Sequence, residues 1–192
     1  MKNYFITATD TDAGKTFVAC AIAQALINQG KKIAAYKPIA AGCELINNQL
    51  INEDAQLLQQ FANADQTIDE VNPIKFAEAI APHIAAANTQ RKISLNDINN
   101  GFNKMLSLNA DINLTEGAGG WRLPLNSQSS KPVFLSDFVK LTKQDVILVV
   151  NMKLGCLNHA LLTYQAILAD GLNCVAWIAN SANEEIMSNL TD

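Results

Sequence analysis

Arginine is nearly absent from this sequence, with Arg91 and Arg122 its only two residues of that type. A lid closing over a nucleotide with a row of guanidinium forks cannot be assembled from so few, which argues against a nucleotide kinase. The four cysteines, Cys20, Cys43, Cys156 and Cys174, include no pair at the short spacing of a zinc or thiol-redox motif. They read as reduced thiols, the state expected in a cytoplasmic protein. No apolar stretch reaches the roughly 18 residues that a membrane span needs, and the apolar run after Met1 is too short for an export signal. Neither membrane nor secretory apparatus is therefore an expected partner. Repeats, linkers and low-complexity tracts are also missing. There is no excess of basic charge: the net charge is −4 and the pI about 5.1, so the electrostatic footprint of a nucleic-acid binder is lacking. A small-molecule substrate is favoured.

What is present suits a globular enzyme. Hydrophobic residues make up 49% and charged residues 17% of the 192 positions, enough for one compact domain with its own core. Residues 4–7 predict a buried strand, 16–29 a helix stopped by Gly30, and 32–36 a second strand, together a βαβ unit. Helices are expected over 52–61, from the Ser94/Asp97 capping pair to about Leu108, over 157–170 before Gly171, and from Asn183 onward. Runs rich in Ile, Val and Leu at 111–115, 145–151 and 173–179 suit strands covered on both faces. This alternation predicts an α/β fold, a doubly wound, mostly parallel P-loop NTPase-like sheet with helices on both faces. Its ligand crevice should lie beyond the carboxyl ends of the strands.

Candidate chemistry falls at those ends. Residues 8–16 leave the first strand and enter the first helix, closing with Gly14, Lys15 and Thr16, the Gly-Lys-Thr of a Walker A loop. Backbone N–H groups and the positive helix end attract phosphate, Lys15 reaches the outer phosphates, and the Thr16 hydroxyl can ligate Mg²⁺. Thr9 stands where the strict pattern requires glycine, so a plain pattern match overlooks this loop. Lys37 and Pro38 end the second strand on the same sheet edge, where a lysine either solvates a surface or stabilises charge on a transferring group. Asp54 reads first as an acid complementing a helix dipole. Glu116 ends a strand ahead of Gly117, Ala118, Gly119 and Gly120; a carboxylate facing Mg²⁺ and a flexible turn are both open there. Gly155, Cys156, Leu157 and Asn158 open a helix whose free N–H groups could hold a carboxylate. Cys156 has no identifiable partner base and reads as a packed side chain, as do His83 and His159.

In chain order, the segments ATDTDAGKT, YKPIAAG, TEGAGGW, VVNMKLGCLNHA and AWIAN resemble the dethiobiotin synthetases, and the resemblance covers nearly the whole chain. It implies an ATP- and Mg²⁺-dependent enzyme that closes a ureido ring on 7,8-diaminopelargonate with CO₂, through a carbamate and a carbamic-phosphoric anhydride. On this resemblance Lys15, Lys37 and Thr11 are the catalytic candidates, and Thr16, Asp54 and Glu116 surround the metal. Asp12, Ala13, Gly14 and Phe17 join the nucleotide site, with Gly117, Ala118 and Gly119 along it and Asn180 and Ser181 at the adenine. Ala41 and the Gly155-to-Asn158 turn meet the substrate, the turn being supplied by a second subunit of a homodimer with shared active sites.

The sequence departs from the family at Ala8 for glycine, Asp12 for glutamate and Ala41 for a substrate-bonding serine. It also stops at Asp192, where family members continue into a further strand and loop around the adenine, so 1–192 is expected to be a single domain that either lacks a C-terminal segment or has a different base pocket. Two other readings compete. A cobyrinic acid amide synthase would carry a glutaminase domain for which this chain has no room. A partition-type ATPase would carry an extra lysine early in the loop, where Thr9, Asp10 and Thr11 stand.

Overall fold

The computed structural model describes residues 1–126 and 132–181. The chain opens with strand β1 (Lys2–Ala8), helix α1 (Lys15–Ile27) and strand β2 (Ile33–Tyr36), which is the expected βαβ unit. Short pieces follow: β3 (Ile39–Ala40), β4 (Glu44–Ile46), β5 (Gln49–Ile51), α2 (Glu53–Phe61), α3 (Ile68–Val71), β6 (Ile74–Lys75) and α4 (Pro82–Asn88). Regular alternation then resumes with α5 (Leu95–Leu106), β7 (Ile112–Glu116), α6 (Leu135–Thr142), β8 (Asp145–Asn151), α7 (Cys156–Ala169) and β9 (Cys174–Asn180). The helix expected from Asn183 onward lies outside the described residues.

Among the described residues, five strands form one parallel sheet in the order β2-β7-β1-β8-β9. Successive side chains on a strand face opposite sides, and the core divides accordingly. Phe5, Ala34 and Tyr36 pack with Phe102 of α5 and Phe138 of α6, while Ile6, Ala8 and Ala35 pack with Val18 and Ala19 of α1 and Ala55 and Leu58 of α2. Burial on both faces is why β1 and β8 read as near-continuous apolar runs, whereas β7 is buried at every position although Ile112 and Leu114 alternate with Asn113, Thr115 and Glu116. β1 is the switch point of the sheet: from it the chain runs one way to β2 and later the other way through β8 to β9. Ligand crevices open at such a point, beyond the strand ends.

Helix starts follow their capping chemistry. Asn52 accepts from the Ala55 amide at 3.2 Å ahead of α2, and Ser94 accepts from the Asp97 amide at 3.1 Å ahead of α5. Thr67 and Glu70 close a reciprocal box around α3, too short for periodicity to reveal. The segment between β2 and α2, where no element was foreseen, holds the β4–β5 hairpin, turned by Asn47 and Asn48 with φ of 49° and 63°.

Candidate active site

The phosphate loop is rooted between two central strands. The Thr9 amide donates to the Val149 carbonyl at 3.0 Å, and the Thr9 hydroxyl accepts from the Asn151 amide at 3.2 Å. Asp12 (φ 57°) and Gly14 (φ 87°) then turn the backbone into α1, whose first N–H groups no side chain caps. Those orphan donors are what an anion needs. Glycine at 14 is required twice over: its φ is left-handed, and a Cβ there would sit 2.1 Å from the Asn180 side-chain amide. Asn180, from the end of β9, donates to the Ala13 carbonyl at 2.8 Å and so lies directly against the loop. Lys15 is largely buried, and its ammonium donates to the Asp10 carbonyl at 3.2 Å. Burial pulls its pKa below the ordinary lysine value, with the carboxylate of Glu116 opposing and the charge of Lys37 adding to the fall.

Across the crevice lies a tight ionic cluster. The Lys37 ammonium is 2.5 Å from Glu116 Oε1 and 3.0 Å from Asp54 Oδ2, and the Thr16 hydroxyl donates to Glu116 Oε1 at 3.0 Å. The side chains of Lys37 and Glu116 are 4% and 0% exposed, whereas Asp54 is 45% exposed and forms the wet side of the cluster. Burial disfavours the Lys37 charge, but Glu116 and Asp54 outweigh it and hold the ammonium above the usual lysine value. For Asp54 burial pushes upward, and Lys37 more than reverses this, leaving the carboxyl below its usual range. Glu116 Oε2 is buried with no hydrogen-bond partner among the described residues. Two carboxylates, one of them with an unpartnered oxygen, and a hydroxyl make an all-oxygen donor set, and Mg²⁺ takes one or two carboxylates together with substrate phosphate.

Both groups face a cavity of about 650 Å³. Its lining combines polar residues, Thr11, Asp12, Lys15, Thr16, Lys37, Asp54 and Glu116, with apolar ones, among them Ile39, Ala40, Ala41, Ile80, Pro82 and Leu123. Ala118 and Gly119 also line it. Gly117 stands behind them, its amide donating to the Ile6 carbonyl at 3.0 Å, where a Cβ would meet the Phe5 ring at 2.8 Å. Ala13, Phe17 and Ser181 lie outside the cavity lining; Ala13 is buried, and Phe17 is turned to solvent. Gly155, Cys156, Leu157 and Asn158 do not line it either. Cys156 packs beneath α7 against Leu148 and Val150, and Leu157 and Asn158 are exposed.

Two features escaped the sequence reading. Lys153 and Asp10 form an ion pair at 2.6 Å that ties the segment after β8 to the phosphate loop, and this hydrogen bond lowers the Asp10 pKa. The apolar wall at 79–82 was the other, its one local signal being Pro82 at the first position of α4.

A parallel, doubly wound sheet with a Gly-Lys-Thr loop between its first strand and first helix defines a P-loop nucleotide-binding protein. A sequence family described as AAA domain matches residues 2–191. An ATP-dependent dethiobiotin synthetase of Alteromonas mediterranea is 50% identical over 197 residues, covering 100% of this chain and 83% of that protein. One of Pseudoalteromonas translucida is 44% identical, covering 99% and 83%. The chain belongs to the ATP-dependent dethiobiotin synthetase family. Among solved structures, the MinC:MinD cell division complex of Aquifex aeolicus aligns with a TM-score of 0.57 at 16% identity, covering 98% of this chain and 72% of that one. At that identity the likeness concerns the fold alone.

Proposed function

We propose that this chain, acting as a single P-loop domain, uses ATP to close a ureido ring on 7,8-diaminopelargonate with CO₂, releasing dethiobiotin, ADP and phosphate. The observation that carries this reading is Lys37, a buried cation held by Glu116 and Asp54 in the lining of a cavity that also has apolar residues in its wall. One amine of the substrate adds to CO₂ and loses a proton to give a carbamate. A carbamate oxygen then takes the γ-phosphoryl group as ADP leaves, and the second amine displaces phosphate to close the ring. The protein's share is positioning and charge stabilisation.

Each side chain has a place in that scheme. The uncapped start of α1 and Lys15 hold the phosphates, with Asp12, Ala13 and Gly14 shaping the loop. Lys37 faces the carbamate and the charge that develops as the phosphoryl group moves, with Thr11 beside it. Thr16, Asp54 and Glu116 would hold Mg²⁺, which when bound neutralises charge on the β- and γ-phosphate oxygens. Asn180, lying against the loop, is the contact for the base; Phe17, Gly117, Ala118, Gly119 and Ser181 complete the nucleotide side. The apolar wall, with Ala41, takes the aliphatic chain of the substrate.

The turn from Gly155 to Asn158 is assigned to the substrate carboxylate of a neighbouring subunit in a homodimer. Two observations support this: the turn lines no part of its own chain's cavity, and Leu154, Leu157, Leu161 and Leu162 beside it are exposed. A run of exposed leucines on one helix is the composition of a covered face.

The test supplies purified protein with 7,8-diaminopelargonate, bicarbonate, ATP and Mg²⁺ and follows dethiobiotin by mass spectrometry. Lys15→Gln and Lys37→Gln should each lower turnover about a hundredfold or more. Hydrolysis of ATP at the same rate with and without the diamine would refute the reading.

A further inference from the structure

Lys37 sits at a break in the hydrogen-bond ladder. β2 ends at Tyr36, the last residue paired with β7, and from Pro38 the backbone turns to pair with β6. The Lys37 amide donates to the carbonyl of Val71, the last residue of α3, at 2.8 Å. Its own carbonyl is taken by the side chain of Asn72, whose Nδ2 donates to it at 2.6 Å and lies 3.5 Å from the Ile74 carbonyl. Pro73, next in the chain, has no N–H to offer. Backbone pairing resumes beyond, with the Ile74 amide on the Pro38 carbonyl at 3.3 Å and the Phe76 amide on the Ala40 carbonyl at 2.9 Å.

We infer that Asn72 is a positioning residue for Lys37, its side-chain amide holding the Lys37 carbonyl and so fixing the backbone from which the ammonium extends. Three observations converge. Asn72 is fully buried, its donor end is engaged, and its Oδ1 has no partner among the described residues. Burying an amide with one end unpaired is unfavourable, so the donor end is what this site retains. Lys37 also precedes Pro38, whose ring biases the Lys37 backbone toward the extended region. With N–H and carbonyl both held, the Cα–Cβ bond of Lys37 has one direction, toward Glu116 and Asp54. Asn72 itself lines no part of the cavity.

The inference rests on the role proposed for Lys37, and Lys37→Gln is measured alongside to separate the two. Asn72→Leu fills the same space without a donor, and Asn72→Ala serves as a second variant if the leucine form does not fold. The expected result is a fall in kcat of about tenfold or more, with the nucleotide Kd and the KM for ATP within about twofold, because the reacting group is displaced while the phosphate loop is untouched. A role in folding alone would lower stability without splitting kcat from KM. If Lys37→Gln abolishes turnover while the folded Asn72 variants keep it, the inference is wrong. If Lys37→Gln itself leaves turnover intact, the role of Lys37 falls, and this inference with it.

Discussion

Replacing Lys37 by methionine separates the buried side of the ionic cluster from the wet side. The substitution keeps most of the aliphatic stem and removes the ammonium, leaving the fully buried Glu116 without its 2.5 Å counter-ion. Removing one partner of a buried pair strands the other charge, which typically costs about 3–5 kcal/mol. For a domain of this size, 1 kcal/mol moves the midpoint by roughly 2–4 °C, so the Tm should fall by about 6–20 °C. Asp54→Asn removes the other carboxylate, whose side chain is 45% exposed and screened by water, and should cost below about 1 kcal/mol. The sign with pH follows from the shifts. Lys37 is raised, so its contribution is complete below the ordinary lysine value of 10.5 and is lost as pH climbs through its folded value. Asp54 is depressed, so its contribution is present above 3.8 and is lost as pH falls through its folded value. The gap between wild type and Lys37→Met should therefore be widest across the neutral range and close in strong base. Urea unfolding of both variants, followed by circular dichroism at several pH values, measures it. A Lys37→Met protein within about 1 kcal/mol of wild type at neutral pH would refute the reasoning; so would an Asp54→Asn protein damaged as badly.

Gly14→Ala should raise the Kd for ATP at least tenfold by equilibrium titration, because it places a Cβ 2.1 Å from the Asn180 amide at a left-handed backbone position; an unchanged Kd would count against the loop as the nucleotide site. Asp10→Asn should cost under about 1 kcal/mol, since its 2.6 Å pair with Lys153 is nearly half exposed on each side. Its depressed pKa makes that contribution one that is present above 3.8 and lost in acid, and denaturant midpoints at low and high salt should show it shrinking with salt. Cys20, buried and with its thiol pushed up to about 11, should be inert toward a thiol reagent at pH 8 until the protein is unfolded. Fast labelling of Cys20 in the native state would contradict that burial.

The sheet was legible because its strands and helices carry their own signals. β1, β8 and β9 were expected within a residue or two of their ends, and α2 and α5 at the caps Asn52 and Ser94. These features depend on local chemistry: apolar runs, a side chain that accepts an N–H, a glycine that stops a helix. Apart from α2, the pieces between β2 and α5 were not read from the sequence. β3 and β6 are two residues each and exist only because Ile39 and Ala40 meet Ile74 and Lys75 across some 35 positions of sequence. A two-residue pairing has no periodicity to read.

The site divides along the same line. Residues 8–16 could be read as a phosphate loop despite Thr9, because the need for a strand, a turn and a helix start is local. Lys37 was visible only as a lysine at a strand end, a description that fits many solvated lysines; what sets it apart is that Asp54 and Glu116 come from two other elements to bury it. Asn72 was harder still, since Asn-Pro in a sequence reads as a turn. The pairing of β6 with β3 brings that dipeptide beside the end of β2, and only then does the asparagine amide meet the Lys37 carbonyl. Where a residue's partner is fixed by topology rather than by spacing, as for Lys37, Asn72 and Lys153, its chemistry becomes readable only once the strands are in register.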